Sequence, residues 1–220
     1  MLGLQRQGQA LMRAYSLAGS PHEEHLEFLS IKVPDGPLTT ELQRLKPGDP
    51  VIVGNKPTGT LVLSDLRPGR VLYLLSTGTG LAPFLGLVRD PDTYDAFEKV
   101  VLVHGVRKTS DLAFRDYLQT ILPQHEYLGE AVRGKLIYYP TVTREPFINQ
   151  GRITELIANN RMFDDLGLPG LSPVTDRLML CGSPQMLADS RDLLDARGFD
   201  ISPGRGTAGD YVVERAFADA

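Results

Sequence analysis

The sequence predicts two units in tandem, a partial antiparallel β-barrel followed by a parallel α/β domain. Three observations carry that prediction. Up to about residue 65, short β-rich runs are separated by Gly, Pro, Asn and Asp turns. From about residue 70, apolar strand-like runs alternate with helix-like segments, the pattern of a parallel sheet flanked by helices. Between them, Asp65-Leu66-Arg67-Pro68-Gly69-Arg70 interrupts both patterns, which sets the expected units at 1–67 and 68–220.

In the first unit an apolar run follows Met1, Gln7-Gly8-Gln9 reads as a hairpin tip, and strands are expected over 11–17, 26–33, 50–53 and 60–63. Four or five short strands are few for closing a barrel, so open edges are expected, and the unit reads as though earlier strands were absent. In the second unit the expected strands are 71–75, 100–104, 136–142, 178–181 and 211–213. Helices are expected over 111–122, where Leu112, Tyr117 and Ile121 fall roughly on one face, and over 184–197.

Bulk properties exclude several classes of function. With 220 residues and 42% hydrophobic content, the chain has ample material for packed cores. No stretch approaches the ~18 apolar residues of a membrane span, and the first residues lack the order of a signal peptide, so a cytoplasmic protein with no membrane partner is expected. The single cysteine, Cys181, excludes an internal disulfide and a metal site built on several cysteines. Four histidines without close pairing offer no zinc pattern, and a net charge of −4 argues against a nucleic-acid partner.

The strongest local signal is Ser76-Thr77-Gly78-Thr79-Gly80-Leu81-Ala82-Pro83-Phe84, directly after the strand expected at 71–75. A strand, a glycine turn and a helix start let the backbone approach a pyrophosphate, although Pro83 stands where a G-x-G-x-x-G motif has its third Gly. Taken alone, such a segment is also ordinary loop chemistry. Arg13-Ala14-Tyr15-Ser16 places Arg13 and Tyr15 on one face of a strand, suited to a pyrophosphate and a planar heterocycle, or else is a plain exposed strand. Leu38, Leu42 and Leu45 recur at helical spacing, so a short helix starting near Gly36 to Thr39 would present amides to a phosphate; a turn capped by Thr39 is the alternative. A 2′-phosphate on a nucleotide demands cationic partners, and Arg144 and Arg152, with Arg107 assisting, are spaced to supply them or are solvated surface arginines. Cys181 at a strand end reads by itself as a buried structural thiol.

In this order the segments Arg13-Ala14-Tyr15-Ser16, Gly36-Pro37-Leu38-Thr39, Gly78-Thr79-Gly80-Leu81-Ala82-Pro83, Cys181-Gly182-Ser183-Pro184 and Val213-Glu214-Arg215-Ala216-Phe217 resemble the bacterial ferredoxin (flavodoxin)–NADP reductase family. The resemblance spans essentially the whole chain. It implies an FAD-binding barrel, an NADP-binding α/β domain and a cytoplasmic monomer that exchanges electrons between NADP(H), FAD and a ferredoxin or flavodoxin. For FAD it implies Arg13, Ala14, Tyr15, Ser16, Ile31, Lys32, Val33, Gly36, Leu38, Thr39, Thr79, Ala216 and Phe217. For NADP it implies Gly78, Gly80, Arg107, Thr143, Arg144, Arg152, Gly182, Ser183 and Pro184, and for catalysis Ser16 near the flavin N5 and Cys181 in the nicotinamide pocket, with Glu214 either orienting the nicotinamide or relaying a proton, or else a simple surface carboxylate. Measured against the family pattern, the first unit is expected to lack the first barrel strands. The rival expectations are an oxygenase reductase component, an NADPH–flavin reductase and a non-catalytic NADP-binding redox module.

Overall fold

Residues 1–6 and 8–216 are described by the computed structural model of the chain. Its second half is a five-stranded sheet of β4 (Val71–Thr77), β5 (Lys99–Val106), β6 (Leu136–Val142), β7 (Asp176–Gly182) and β8 (Tyr211–Arg215), in the order β6-β5-β4-β7-β8 with every pairing parallel. Strands in such a sheet are covered on both faces, so they read as continuous apolar runs without alternation. Alternation returns in what each side chain touches. Leu72 and Leu74 of β4, Val100 and Leu102 of β5, and Met179 and Cys181 of β7 pack into one core; Tyr73, Leu75, Val101, Val103, Leu178 and Leu180 pack into the other. The first core is completed by α2 (Ala82–Val88) and residues around α3 (Pro91–Ala96) and α4 (Gly129–Lys135). The second is completed by α5 (Ile153–Ala158), α6 (Arg161–Leu166) and α7 (Pro184–Asp195).

The strand order turns back between β4 and β7. In open parallel sheets the crevice at the carboxyl ends of two such strands is where ligands bind, because the following connections diverge to opposite faces. The loop after β4 and the start of α7 meet at that point.

The first half holds a three-stranded antiparallel sheet, ordered β2-β1-β3, of β1 (Leu2–Arg6), β2 (Gln9–Arg13) and β3 (Ile52–Val53). Arg6 pairs with Gln9 across the hairpin expected there; Gly8 takes a φ of +82°, and Gln7 lies outside the described residues. The remaining strand expectations for this half need correction. The strand expected over 11–17 ends at Arg13, and that expected over 50–53 narrows to Ile52–Val53. Residues 26–33 form no strand: a single bridge between Leu17 and Phe28, with Ala18 N–H donating to Glu27 O at 2.8 Å, is the extent of the pairing found there. Residues 60–63 run into a 3₁₀ turn at Leu63–Asp65 instead of a strand. A β-pattern needs a hydrogen-bonded neighbour to become a strand, and the N–H of Thr60 is bonded instead to a carboxylate from β8.

The helix expected over 111–122 is also corrected. A 3₁₀ turn at Thr109–Asp111, Phe114 at a φ of +61° and a π-turn at Tyr117–Ile121 break it into pieces. A left-handed Phe cannot continue a right-handed helix. By contrast, the helix expected over 184–197 is α7, capped by Ser183, whose hydroxyl accepts from Met186 N–H at 3.4 Å. The segment leaving Asp65 is held by Arg177, itself 6% exposed, which donates to the carbonyls of Arg67 at 3.1 Å and Pro68 at 2.6 Å.

Candidate active site

The glycines after β4 are required by close approach. A Cβ on Gly80 would lie 2.1 Å from the Cys181 carbonyl oxygen, and one on Gly182 would lie 2.2 Å from Thr77 Oγ1, so the glycine loop packs against the β7 backbone and the Thr77 side chain against Gly182. Gly78 has a φ of +54° and open space around it, and Thr79 follows it on the rim. Thr77 Oγ1 accepts the Ser183 N–H at 3.0 Å, joining the glycine loop to the start of α7. Gly78, Thr79, Gly80, Gly182, Ser183 and Pro184 therefore line one place.

Beneath that loop lies His104, fully buried at the carboxyl end of β5. Its Nε2 is 3.3 Å from the Gly78 carbonyl and its Nδ1 3.3 Å from the Tyr138 hydroxyl. A carbonyl only accepts, so Nε2 carries the proton and Nδ1 accepts from Tyr138. Burial, partly opposed by the bond to Gly78, lowers the imidazole pKa from 6.5 to about 4 and keeps it neutral.

The two halves of the chain meet at Glu214. Ser16 Oγ donates to Glu214 Oε1 at 3.1 Å, while Thr60 N–H donates to Oε2 at 2.9 Å and the Thr60 hydroxyl donates at 3.4 Å. Cys181 stands opposite Glu214 in the β7–β8 register and opposite Ser76 in β4, 1% exposed. Burial first, and the Glu214 charge second, push the thiol up to about 12, so it stays protonated. Ser16, Cys181 and Glu214, expected as catalytic, are brought together by the fold.

The flavin-side expectations fall on the neighbouring surface. Arg13 Nη1 donates to its neighbour Met12 O at 2.9 Å; the Tyr15 hydroxyl lies 3.0 Å from Ser30 Oγ, and its ring meets Phe28 edge to face at 6.4 Å. Ala14, Ile31, Lys32 and Val33 are exposed. The short helix expected to start near Gly36 to Thr39 is α1 (Thr39–Leu42), beginning at the later end of that range and only one turn long. Gly36 sits in a turn, donating to Val33 O at 3.0 Å, and Thr39 does not cap α1: its hydroxyl bonds the backbone of Val33. Leu38 is 2% exposed, so it is buried as a whole residue and is not open to a ligand, contrary to its expected place at FAD. Ala216 N–H donates to Gly182 O at 3.2 Å, placing the end of β8 against the crevice, and Phe217 lies outside the described residues.

Four more expected residues share the carboxyl ends of β5 and β6. Thr143 N–H donates to Val106 O at 3.0 Å and Arg144 N–H to Arg107 O at 2.9 Å, setting Arg107 beside Arg144. Gln150 bridges Val142 and Gly151 N–H donates to Val142 O at 3.1 Å, so Arg152 leaves the same sheet end. The three guanidinium side chains are exposed, and Arg152 makes a loose ion pair with Glu155 at 3.9 Å.

Thr60 and His104 are site residues that the sequence did not mark. Thr60 acts largely through a backbone N–H, which leaves no signature in residue type, and a lone His within an apolar strand reads as core.

Comparison with known proteins gives the following. Residues 74–192 match the family described as oxidoreductase NAD-binding domain. Over 219 residues, covering all of this chain and 85% of the relative, the sequence is 59% identical to the ferredoxin–NADP reductase of Pseudomonas aeruginosa. Over 218 residues it is 44% identical to the flavodoxin/ferredoxin–NADP reductase of Rhodobacter capsulatus, covering 99% of this chain and 80% of that protein. The fold superposes with a TM-score of 0.87 on a crystal structure of a ferredoxin NADP⁺ reductase from Neisseria gonorrhoeae with bound FAD and NADP, at 29% identity over 98% of this chain and 84% of that one.

Proposed function

Because the chain belongs to the ferredoxin–NADP reductase family, we propose that it passes hydride between NADPH and FAD at the junction of Ser16, Cys181 and Glu214, and single electrons onward to a ferredoxin. The observation that carries this reading is the Ser16–Glu214 hydrogen bond with Cys181 in register beside it, at the mouth of the β4–β7 crevice. When bound, flavin supplies the conversion between two-electron and one-electron chemistry.

The residues present fit both nucleotides. Gly78, at a φ of +54° with open space where a side chain would stand, leaves the loop bare toward a pyrophosphate, and the start of α7 beside it directs N–H groups and positive dipole at the same place. Arg107, Arg144 and Arg152, with the Thr143 hydroxyl nearby, hold the 2′-phosphate and select NADP(H). Arg13 binds the FAD pyrophosphate; the Tyr15 ring covers the heterocycle, and Ala14, Ile31, Lys32, Val33, Gly36 and Thr39 line its path, with Leu38 buried beneath them. Thr79 separates the two rings, and Ala216 borders the flavin.

Within the junction each side chain has one task. Ser16 directs its hydroxyl proton onto the Glu214 carboxylate, which fixes that hydroxyl at the transfer point. Cys181 fills the wall as a neutral thiol and excludes water. Thr60 anchors the second carboxylate oxygen and orients the first toward Ser16.

Residues 1–67 act as the flavin unit and 68–220 as the NADP unit. A monomer suffices for the proposed transfer, since Ser16, Thr60, Cys181 and Glu214 are brought together within one chain. A flavodoxin serves as a second acceptor, as the name of the R. capsulatus relative suggests. Cytoplasmic work suits a chain whose one cysteine is a buried thiol; no helix among the described residues is long and apolar enough to cross a membrane. An oxygenase-reductase or flavin-reductase role is not favoured, because relatives at 57–59% identity are named ferredoxin–NADP reductases. Steady-state oxidation of NADPH by the FAD-loaded protein, with and without ferredoxin, tests the function. Turnover that requires FAD and rises with ferredoxin supports it; turnover indifferent to ferredoxin but saturating with free flavin would replace it with flavin reduction.

A further inference from the structure

Arg89, at the end of α2, reaches out of the second half of the chain into the first. Its side chain is 9% exposed. Nη1 donates to the Glu27 carboxylate and to the Ala18 carbonyl at 3.4 Å, with Glu23 3.8 Å away. The guanidinium carbon lies 4.6 Å from the Tyr117 ring centroid and 5.9 Å from that of Phe114. Those two rings stand on the segment where left-handed Phe114 and the π-turn break the expected helix. Backbone contact accompanies the arginine: a Cβ on Gly86 of α2 would come within 2.8 Å of the Gly19 carbonyl, and Ala18 is fully buried in the core that holds Phe84 and Leu85 of α2.

The two ends of this contact lead to the two sides of the junction. Ala18 is two residues beyond Ser16, and α2 follows without a break from the Gly78–Leu81 turn that carries Thr79. A charge so little exposed, with its Nε buried and unpartnered, is costly, and the Glu27 carboxylate and the Tyr117 ring offset that cost only while they hold the guanidinium in this one place. We propose that Arg89, seated on Ala18, Glu27 and the Tyr117 ring and backed by the Gly86–Gly19 contact, is a positioning residue that sets the separation between the flavin held at Ser16 and the nicotinamide held at Thr79. This inference rests on the flavin and nicotinamide placements proposed above. Hydride transfer is steep in distance, and a displacement of about 1 Å costs up to a hundredfold in rate. Arg89 touches neither nucleotide site, so its loss acts on the transfer step and leaves the two binding steps alone.

The test uses the FAD-loaded protein mixed anaerobically with saturating NADPH, following flavin bleaching and the long-wavelength charge-transfer absorbance of stacked nicotinamide and flavin. FAD and 2′-phospho-AMP affinities are titrated in parallel. Arg89→Ala is expected to slow bleaching by about tenfold or more and to weaken the charge-transfer band, with both affinities unchanged and Arg89→Lys recovering part of the rate. Glu27→Gln and Gly86→Ala probe the same contact from the other side and by steric displacement, and they decide the matter if Arg89→Ala does not fold. Wild-type bleaching and charge-transfer absorbance in the folded variants would overturn the inference, as would slowing fully explained by weaker NADP binding. A wild-type protein that binds FAD and NADPH yet never bleaches would instead overturn the placements on which the inference stands.

Discussion

Ser16 and Glu214, 198 positions apart in the chain, are joined by a 3.1 Å hydrogen bond, and Thr60 N–H holds the other oxygen of the same carboxylate at 2.9 Å. Removing the carboxylate leaves both donors without their acceptor, whereas removing the Ser16 hydroxyl leaves the Thr60 contact in place. Glu214→Ala is therefore expected to lower stability by about 1–3 kcal/mol in chemical denaturation, and Ser16→Ala by less. Equal losses would show that Thr60 draws nothing from the carboxylate.

The arginines at the ends of β5 and β6 make the coenzyme preference testable. Each charged phosphate contact is worth about 1.5–3 kcal/mol, or roughly ten- to a hundredfold in binding. Arg144→Ala combined with Arg152→Ala is expected to raise KM for NADPH by at least the lower of these factors while leaving KM for NADH nearly unchanged. Comparable increases for both coenzymes would place the 2′-phosphate elsewhere.

Gly80 has no room for a side chain, since its Cβ would lie 2.1 Å from the Cys181 carbonyl and 3.0 Å from Gly182 N. Gly80→Ala must therefore separate the glycine loop from β7. Expected outcomes are a loss of about 1–3 kcal/mol in thermal unfolding and weaker 2′-phospho-AMP binding. An unaltered affinity in the folded variant would argue that the loop does not touch the nucleotide.

His104 introduces a pH dependence with a defined sign. Its pKa in the folded protein is about 4 against 6.5 for the free side chain, so the unfolded chain binds the extra proton first. The stability associated with the neutral ring is complete above about pH 6.5 and is lost as pH falls from there toward 4, to a limit of roughly 3 kcal/mol. Denaturant unfolding of wild type and His104→Gln across that range separates this loss from that of the carboxylates. Wild type is expected to lose more stability than the variant, and parallel curves would show a ring that titrates normally.

How much of this was legible in the sequence depended on where the stabilising contacts lie. β6 matches its expected span at both ends, because a strand buried on both faces is written as an apolar run. Residues 26–33 carry similar β-propensity yet meet one bridge at Phe28, and propensity does not report whether a neighbour exists. In 111–122 the apolar spacing was visible, but the left-handed Phe114 that breaks the helix is tied to ring contacts with Arg89, 25 positions upstream, which local periodicity does not encode. The glycine loop was readable since close backbone approach demands glycine itself. Thr60 was not, as its backbone N–H serves a carboxylate 154 positions away.

The proposed exchange of hydride between nicotinamide and flavin takes place at the junction where Ser16, Glu214 and Cys181 converge. Anaerobic rapid mixing of the FAD-loaded protein with NADPH, and with NADPH deuterated at the transferred position of C4, reads that step directly. The expected result is single-turnover bleaching of the flavin, slower with the deuterated coenzyme and slowed again by Ser16→Ala and by Glu214→Ala. Bleaching that shows no isotope effect and is indifferent to both substitutions would contradict it.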